Sequence, residues 1–100
     1  MIEIVRINLE NEMDLILAHK RSLKLAELCG ISVIIQTSFA TAVSEISRSV
    51  IVNEDNRSTL TLGITNEKNI RKELVASVIS TIDFGKEHAN ALKYAIRLTD

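Results

Sequence analysis

A glutamate and a serine one helical turn apart, Glu45 and Ser49, are the side chains in this sequence best spaced to act together. Residues four apart in an α-helix share a face, and a carboxylate in such a position can serve as a general base or hold a polar ligand. Small residues precede the glutamate, in Thr41–Ser44, and bulky aliphatic residues lie behind it, as in the wall of a ligand pocket. The alternative is a glutamate that faces solvent on an amphipathic helix.

Metal and nucleophile chemistry has little support in the sequence. His19, Cys29 and His88 lack metal-ligand spacing, and the first two lie too far apart along one predicted helix to bind one ion. The glycine-rich phosphate-binding motifs and the serine-hydrolase motif are absent from the sequence. At the C-terminal end of a helix, Cys29 is badly placed for a stabilised thiolate. We therefore expect two surface histidines and a packed thiol.

The elements that position these residues begin with a first helix, predicted over Glu12 to Cys29. Asn11 is a suitable N-cap, and Gly30 can adopt the positive φ that often ends a helix. Large aliphatic residues recur at helical spacing and are expected to face the core, with basic residues mostly opposite. This core stripe consists of Met13, Ile16, Leu17 and Leu23, with Ala26 or Leu28 closing it.

A second helix carries Glu45. Ser32 or Thr37 is suitable to cap its start, and the polar segment from Asn53 to Arg57 follows its end. Its apolar spacing follows the helical period closely. The residues expected to face the core are Ile35, Phe39, Ala42, Val43, Ile46 and Val50.

Strands precede and follow this helical pair. Ile2 to Leu9 reads as a strand whose imperfect alternation predicts a bulge near Val5 or a strand covered on both faces. Ser58 to Thr65 and Leu74 to Asp83 alternate clearly, and the short connection between them predicts an antiparallel hairpin. The spacing from Ala89 to Thr99 predicts a final amphipathic helix.

The order β-α-α-β-β-α predicts an α/β (α+β) fold, a two-layer sandwich with the helices on one face of a small mixed sheet. The 100 residues are expected to form a single domain, or the N-terminal part of a longer one. A net charge of −1 gives no argument for a nucleic-acid partner, and three aromatic residues provide no stacking platform. We also expect no membrane span. One cysteine and no recognisable signal peptide favour a cytoplasmic location.

From Met13 to Ile51 the sequence resembles the first two helices of the histidine-kinase-like (GHKL) ATPase family. The closest resemblance is to the anti-sigma-factor serine kinases and the ATP-binding domains of sensor histidine kinases. In that family the second helix carries a glutamate followed four residues later by asparagine, positions held here by Glu45 and Ser49. The element order is similar, and Asp83-Phe84-Gly85 matches the Asp-x-Gly motif that follows a strand in the family.

The resemblance implies a bacterial signalling protein that binds ATP or ADP with Mg²⁺. It implies that Glu45 is the catalytic base, that Ser49 stands at the Mg²⁺-ligand position, and that Asp83 accepts the adenine amino group. Gly85 would allow the backbone close to the base, and Glu45 and Asp83 would flank one shallow cleft. Serine in place of asparagine, and the lack of a glycine-rich lid, predict weak nucleotide binding at most and no catalysis by this chain alone.

Two functional interpretations follow. One is a degenerate nucleotide-binding regulatory domain with a protein partner, a signalling regulator. The alternative is a small protein-interaction or dimerisation module with no small-molecule site. A small sheet leaves strand edges open, and the strand from Ser58 to Thr65 is expected to be such an edge, with a homodimer as one way to cover it.

Overall fold

The computed structural model of the chain describes residues 2–51, 56–67, 71–83 and 87–98. The four strands form one sheet in the order β1-β2-β3-β4, and all three pairings are antiparallel. The predicted α+β sandwich is confirmed, but the sheet formed by the described strands is antiparallel rather than mixed. The elements are β1 (Ile2–Leu9), α1 (Glu12–Leu28), α2 (Val33–Ile51), β2 (Asn56–Glu67), β3 (Arg71–Asp83) and β4 (Glu87–Leu98).

The last element is a strand, so the predicted helix from Ala89 to Thr99 is wrong. β4 pairs with β3 along its whole length. A short apolar pattern fits both the helical and the strand period, and here pairing with the long β3 decides between them. Alternate residues of β4 fall opposite the buried positions of β3, in the pairs Val78↔Leu92, Ala76↔Tyr94 and Leu74↔Ile96.

The prediction that Ser58 to Thr65 forms an exposed edge is also wrong. β2 lies between β1 and β3, because the two helices return the chain to a position beside β1. Leu60 and Leu62 of β2 are fully buried. The edges of the sheet are therefore β1 and β4.

A bulge in β1 accounts for its imperfect alternation, as predicted. The register with β2 shifts between Glu3 and Val5. The Arg6 guanidinium donates to both carboxylate oxygens of Glu3, Nε to Oε1 at 2.7 Å and Nη2 to Oε2 at 2.9 Å. Bulges and charged side chains on an edge strand both oppose pairing with another chain.

A capping box starts α1. The Asn11 side chain accepts a hydrogen bond from the Met13 N–H at 2.9 Å, and the Asp14 carboxylate accepts one from the Asn11 N–H at 3.0 Å. The helix ends at Leu28, and Gly30 has a φ of 76°. α2 begins immediately after Ser32, one of the two predicted caps.

The main core lies between the helices and one face of the sheet. Phe39 and Val43 of α2 are fully buried there with Leu60 and Leu62. Phe39 also stacks at a tilt on Tyr94 of β4, with ring centroids 6.0 Å apart. α2 is thus fixed against the sheet, and its opposite side faces away from it.

Candidate functional site

Small, fully buried side chains lie on both α1 and α2. The four residues 29–32 separate the two helices, which places them side by side as an antiparallel hairpin. Fully buried small residues lie on both helices and allow a short distance between the helix axes. They are Ala18, Ser22 and Ala26 of α1 and Ala40 and Ser47 of α2.

On the solvent side of this helix pair is a groove of about 580 Å³. Leu15, which is buried, and Ile16, which is exposed, give it an apolar wall. The remaining lining residues are polar or charged: His19, Lys20, Thr41, Ser44, Glu45 and Arg48.

A hydrogen bond between His19 and Ser44 joins the two helices at the groove. The Ser44 hydroxyl donates to the Ala40 carbonyl oxygen at 2.9 Å, so its one proton is already used. The His19 Nδ1 lies 3.1 Å from the same hydroxyl oxygen, and it is the donor in the tautomer that carries its proton on Nδ1. Because the two helices are antiparallel, Lys20 and Glu45 lie one residue beyond this bond in opposite directions, about 3 Å apart along the helix axes.

The charged side chains of the groove are open to solvent. Lys20, Glu45 and Arg48 are all exposed. Among the residues that the structure describes, none of the three is in an ion pair; the pairs found there are Arg6–Glu3 and Lys24–Glu27. Two cations and one carboxylate are therefore available to a ligand or a partner of complementary charge.

The predicted site residues do not all lie at the groove. Glu45 lines the groove. Ser49 is exposed, and its hydroxyl donates to the Ile46 carbonyl oxygen at 2.7 Å. Asp83 is the last residue of β3, and its backbone pairs with Glu87 of β4. Gly85 lies outside the described residues, and so do the surroundings of the Asp83 side chain, so the cleft expected between Glu45 and Asp83 stays a prediction.

Cys29 is half-buried after α1 and packs against the core. Burial raises the pKa of its thiol, which keeps the sulfur protonated over a wider pH range. Within residues 2–51, 56–67, 71–83 and 87–98 there is no group of three or more His, Cys, Asp or Glu that could hold a metal ion. No helix in the same ranges is long and apolar enough to cross a membrane.

The expected core stripe of α1 is wrong at three of its large residues, although Ala26, one of the two residues expected to close it, is buried. Met13, Ile16 and Leu17 are 71%, 52% and 38% exposed. The buried positions are instead Leu15, Ala18, Ser22, Leu25 and Ala26. Large aliphatic residues dominate any hydrophobic pattern, whereas the true packing face of α1 is built mainly from small residues, whose contribution to that pattern is weak.

Comparison with known proteins gives no relative for this arrangement. No protein-family model matches the sequence, and neither curated proteins nor solved structures give a significant match. The resemblance to histidine-kinase-like ATPases therefore depends on the sequence motifs alone.

Proposed function

We propose that this chain is a regulatory domain of the histidine-kinase-like type from a bacterial signalling protein, acting in the cytoplasm by binding a protein regulator. The observation that carries this proposal is the open groove between α1 and α2, where Glu45 is exposed beside Lys20 and Arg48. A groove with an apolar wall and unpaired charges suits binding by shape and charge.

Nucleotide binding at this domain is expected to be weak. Phosphate groups close to Glu45 would meet the cations of Lys20 and Arg48, which favour them. The Mg²⁺ position is poorly equipped, because Ser49 has a short side chain whose hydroxyl already donates to the backbone. ATP or ADP with Mg²⁺ is therefore a low-affinity ligand in this proposal.

Phosphoryl transfer is not expected from this chain. The reaction depends on neutralising and positioning the transferred group, and removing one such contact typically costs a factor of about 10²–10³ in rate. We expect ATP hydrolysis by the purified chain to equal that of the Glu45→Ala variant. Hydrolysis that disappears in Glu45→Ala would contradict this, because a contaminating enzyme would not respond to the substitution.

A titration with Mg-ATP and Mg-ADP, followed by amide NMR shifts, tests the nucleotide part. Shifts at Glu45, Ser49 and Asp83 are expected at millimolar nucleotide. Ser49→Asn should strengthen the Mg²⁺-dependent binding, and Glu27→Gln, a change on exposed α1 surface, is the matched control that should leave it unchanged. Spectra that stay the same at millimolar nucleotide would remove nucleotide from the proposal.

The second candidate is an interaction module with no small-molecule site. It is favoured by the aliphatic residues that α1 and α2 expose, such as Met13 and Ile16. The same titration separates the two candidates. A module of this kind would show no nucleotide shifts, but it would show shifts along the helices when a protein binds.

A further inference from the structure

This molecule exposes more surface than a monomer of its mass normally does. Its accessible surface is 6999 Å², whereas a compact monomer of 11.1 kDa is expected to have about 5,700 Å². Its radius of gyration is 13.7 Å, against about 12.7 Å for a compact chain of this length.

Most of the exposed apolar side chains in the described ranges lie on the helix pair. Ten large hydrophobic residues are exposed in those ranges, and seven of them belong to α1 or α2, so the helix layer is where further burial would gain most. The seven are Met13, Ile16, Leu17, Leu28, Val33, Ile34 and Ile35.

We propose that the outer face of α1 and α2 binds the same face of a second copy of this chain. This interface goes beyond the proposed function, and because it covers the groove, a regulator or nucleotide bound there would compete with the second copy. A two-fold axis parallel to the helices places α1 of each copy over α2 of the other. Lys20 and Glu45 are offset by only about 3 Å along the helix axes, so the long Lys20 side chain of each copy can reach Glu45 of the second copy.

The charged side chains favour this arrangement over an alternative in which the two-fold axis is perpendicular to the helices. In the alternative, the two-fold axis lies in the plane of the interface but perpendicular to the helices. It would place α1 of one copy over α1 of the other, and at the groove it would bring Lys20 of one copy against Lys20 of the other. Like charges facing each other in an interface are strongly unfavourable. The parallel axis forms two attractive pairs instead.

The available area predicts a weak dimer. A helix of the length of α1, 17 residues, is about 26 Å long, and two adjacent helices are about 20 Å wide. The two faces together bury on the order of 1,000 Å², close to the lower limit for a specific interface. The dimer should therefore dissociate on dilution.

Sedimentation equilibrium of the full chain tests the interface through charge reversal. The wild type should show a concentration-dependent dimer. Lys20→Glu and Glu45→Lys, each alone, should weaken it by roughly 100-fold or more, because each creates two repulsive pairs. An equimolar mixture of the two variants should dimerise again, because the mixed dimer holds one native pair and one reversed pair.

Ile16→Lys should also abolish the dimer, and Ile79→Lys on β3 is its matched control. These two isoleucines are 52% and 45% exposed, so neither change should unfold the chain. A wild type that stays monomeric at every concentration would overturn the proposal. The proposal would also be overturned if Lys20→Glu or Glu45→Lys alone dimerised as the wild type does, or if their mixture remained monomeric. Equal effects of the substitutions at Ile16 and Ile79 would overturn it as well.

Discussion

The inner and outer faces of the helix pair are both apolar, yet only one is explained by folding. On the inner face, Phe39 and Val43 are fully buried against the sheet, with small residues between the helices. On the outer face, Met13 and Ile16 are large, apolar and more than half exposed. Single exposed aliphatic residues are normal on protein surfaces, but a group on one face marks a contact surface. The stabilising core and the proposed binding surface thus lie on opposite sides of the same two helices.

Truncating one side chain on each face gives the largest expected contrast. Phe39→Ala should lower the free energy of unfolding by about 3–5 kcal/mol, because it leaves a cavity in the core. Met13→Ala should change it by less than about 0.5 kcal/mol, as is usual for surface positions. Urea denaturation at low protein concentration measures both values. Equal losses at the two positions would remove the distinction between the faces.

Enlarging a residue between the helices tests their close approach. Ser22→Leu should destabilise the chain by about 1–3 kcal/mol, because the added atoms must push α1 away from its neighbours. Ser38→Leu is the control, since Ser38 is exposed on α2. Thermal denaturation followed by circular dichroism compares the two. A Ser22→Leu variant as stable as the control would show that the helices are not closely packed there.

Removing the cap of α1 should have a smaller effect, confined to one helix end. Asn11→Ala abolishes the side-chain hydrogen bond to the Met13 N–H and should cost about 1 kcal/mol. Asn11→Asp keeps an acceptor and should remain close to the wild type. Amide hydrogen exchange in the first turn of α1 provides the readout, and unchanged protection in Asn11→Ala would be inconsistent with the capping box.

The ionisation of the Cys29 thiol is expected to give the smallest effect of the four. Its pKa is raised in the folded chain, so less thiolate is present at a given pH than in the unfolded chain. Stability from this group is fully present below the thiol pKa of the unfolded chain and is lost as pH rises through the raised value. At mildly alkaline pH, iodoacetamide should alkylate the folded chain more slowly than the chain in urea. Equal rates, compared with a small free thiol in both solutions, would contradict the raised pKa.

The sequence predicts the first five elements because their signals are local. The cap at Asn11, the glycine after α1 and the alternation of β2 each depend on a few neighbouring residues. The last strand could not be predicted in this way, because the pattern from Ala89 onward fits two periods and only pairing with β3 selects one. The packing face of α1 was missed for a related reason: close helix packing uses small residues, which carry little hydrophobic signal.

The candidate site was predicted in part. The sequence pointed to Glu45 as an exposed carboxylate on a helix, and the groove contains it. Its neighbours from α1, His19 and Lys20, could not be found from the sequence, because only the packing of two helices brings them beside Ser44 and Glu45. No local pattern records which residues of separate elements meet.

The central claim is that the outer face of the helix pair is a binding surface, and amide chemical shifts on dilution test it most directly. Between millimolar and low micromolar protein, the signals of Ile16, Lys20 and Glu45 should move together with a single midpoint. The signals of Thr61 and Ile79, on the other face of the sheet, should stay in place. Shifts confined to the sheet, or spectra that are identical over the whole range, would contradict the account.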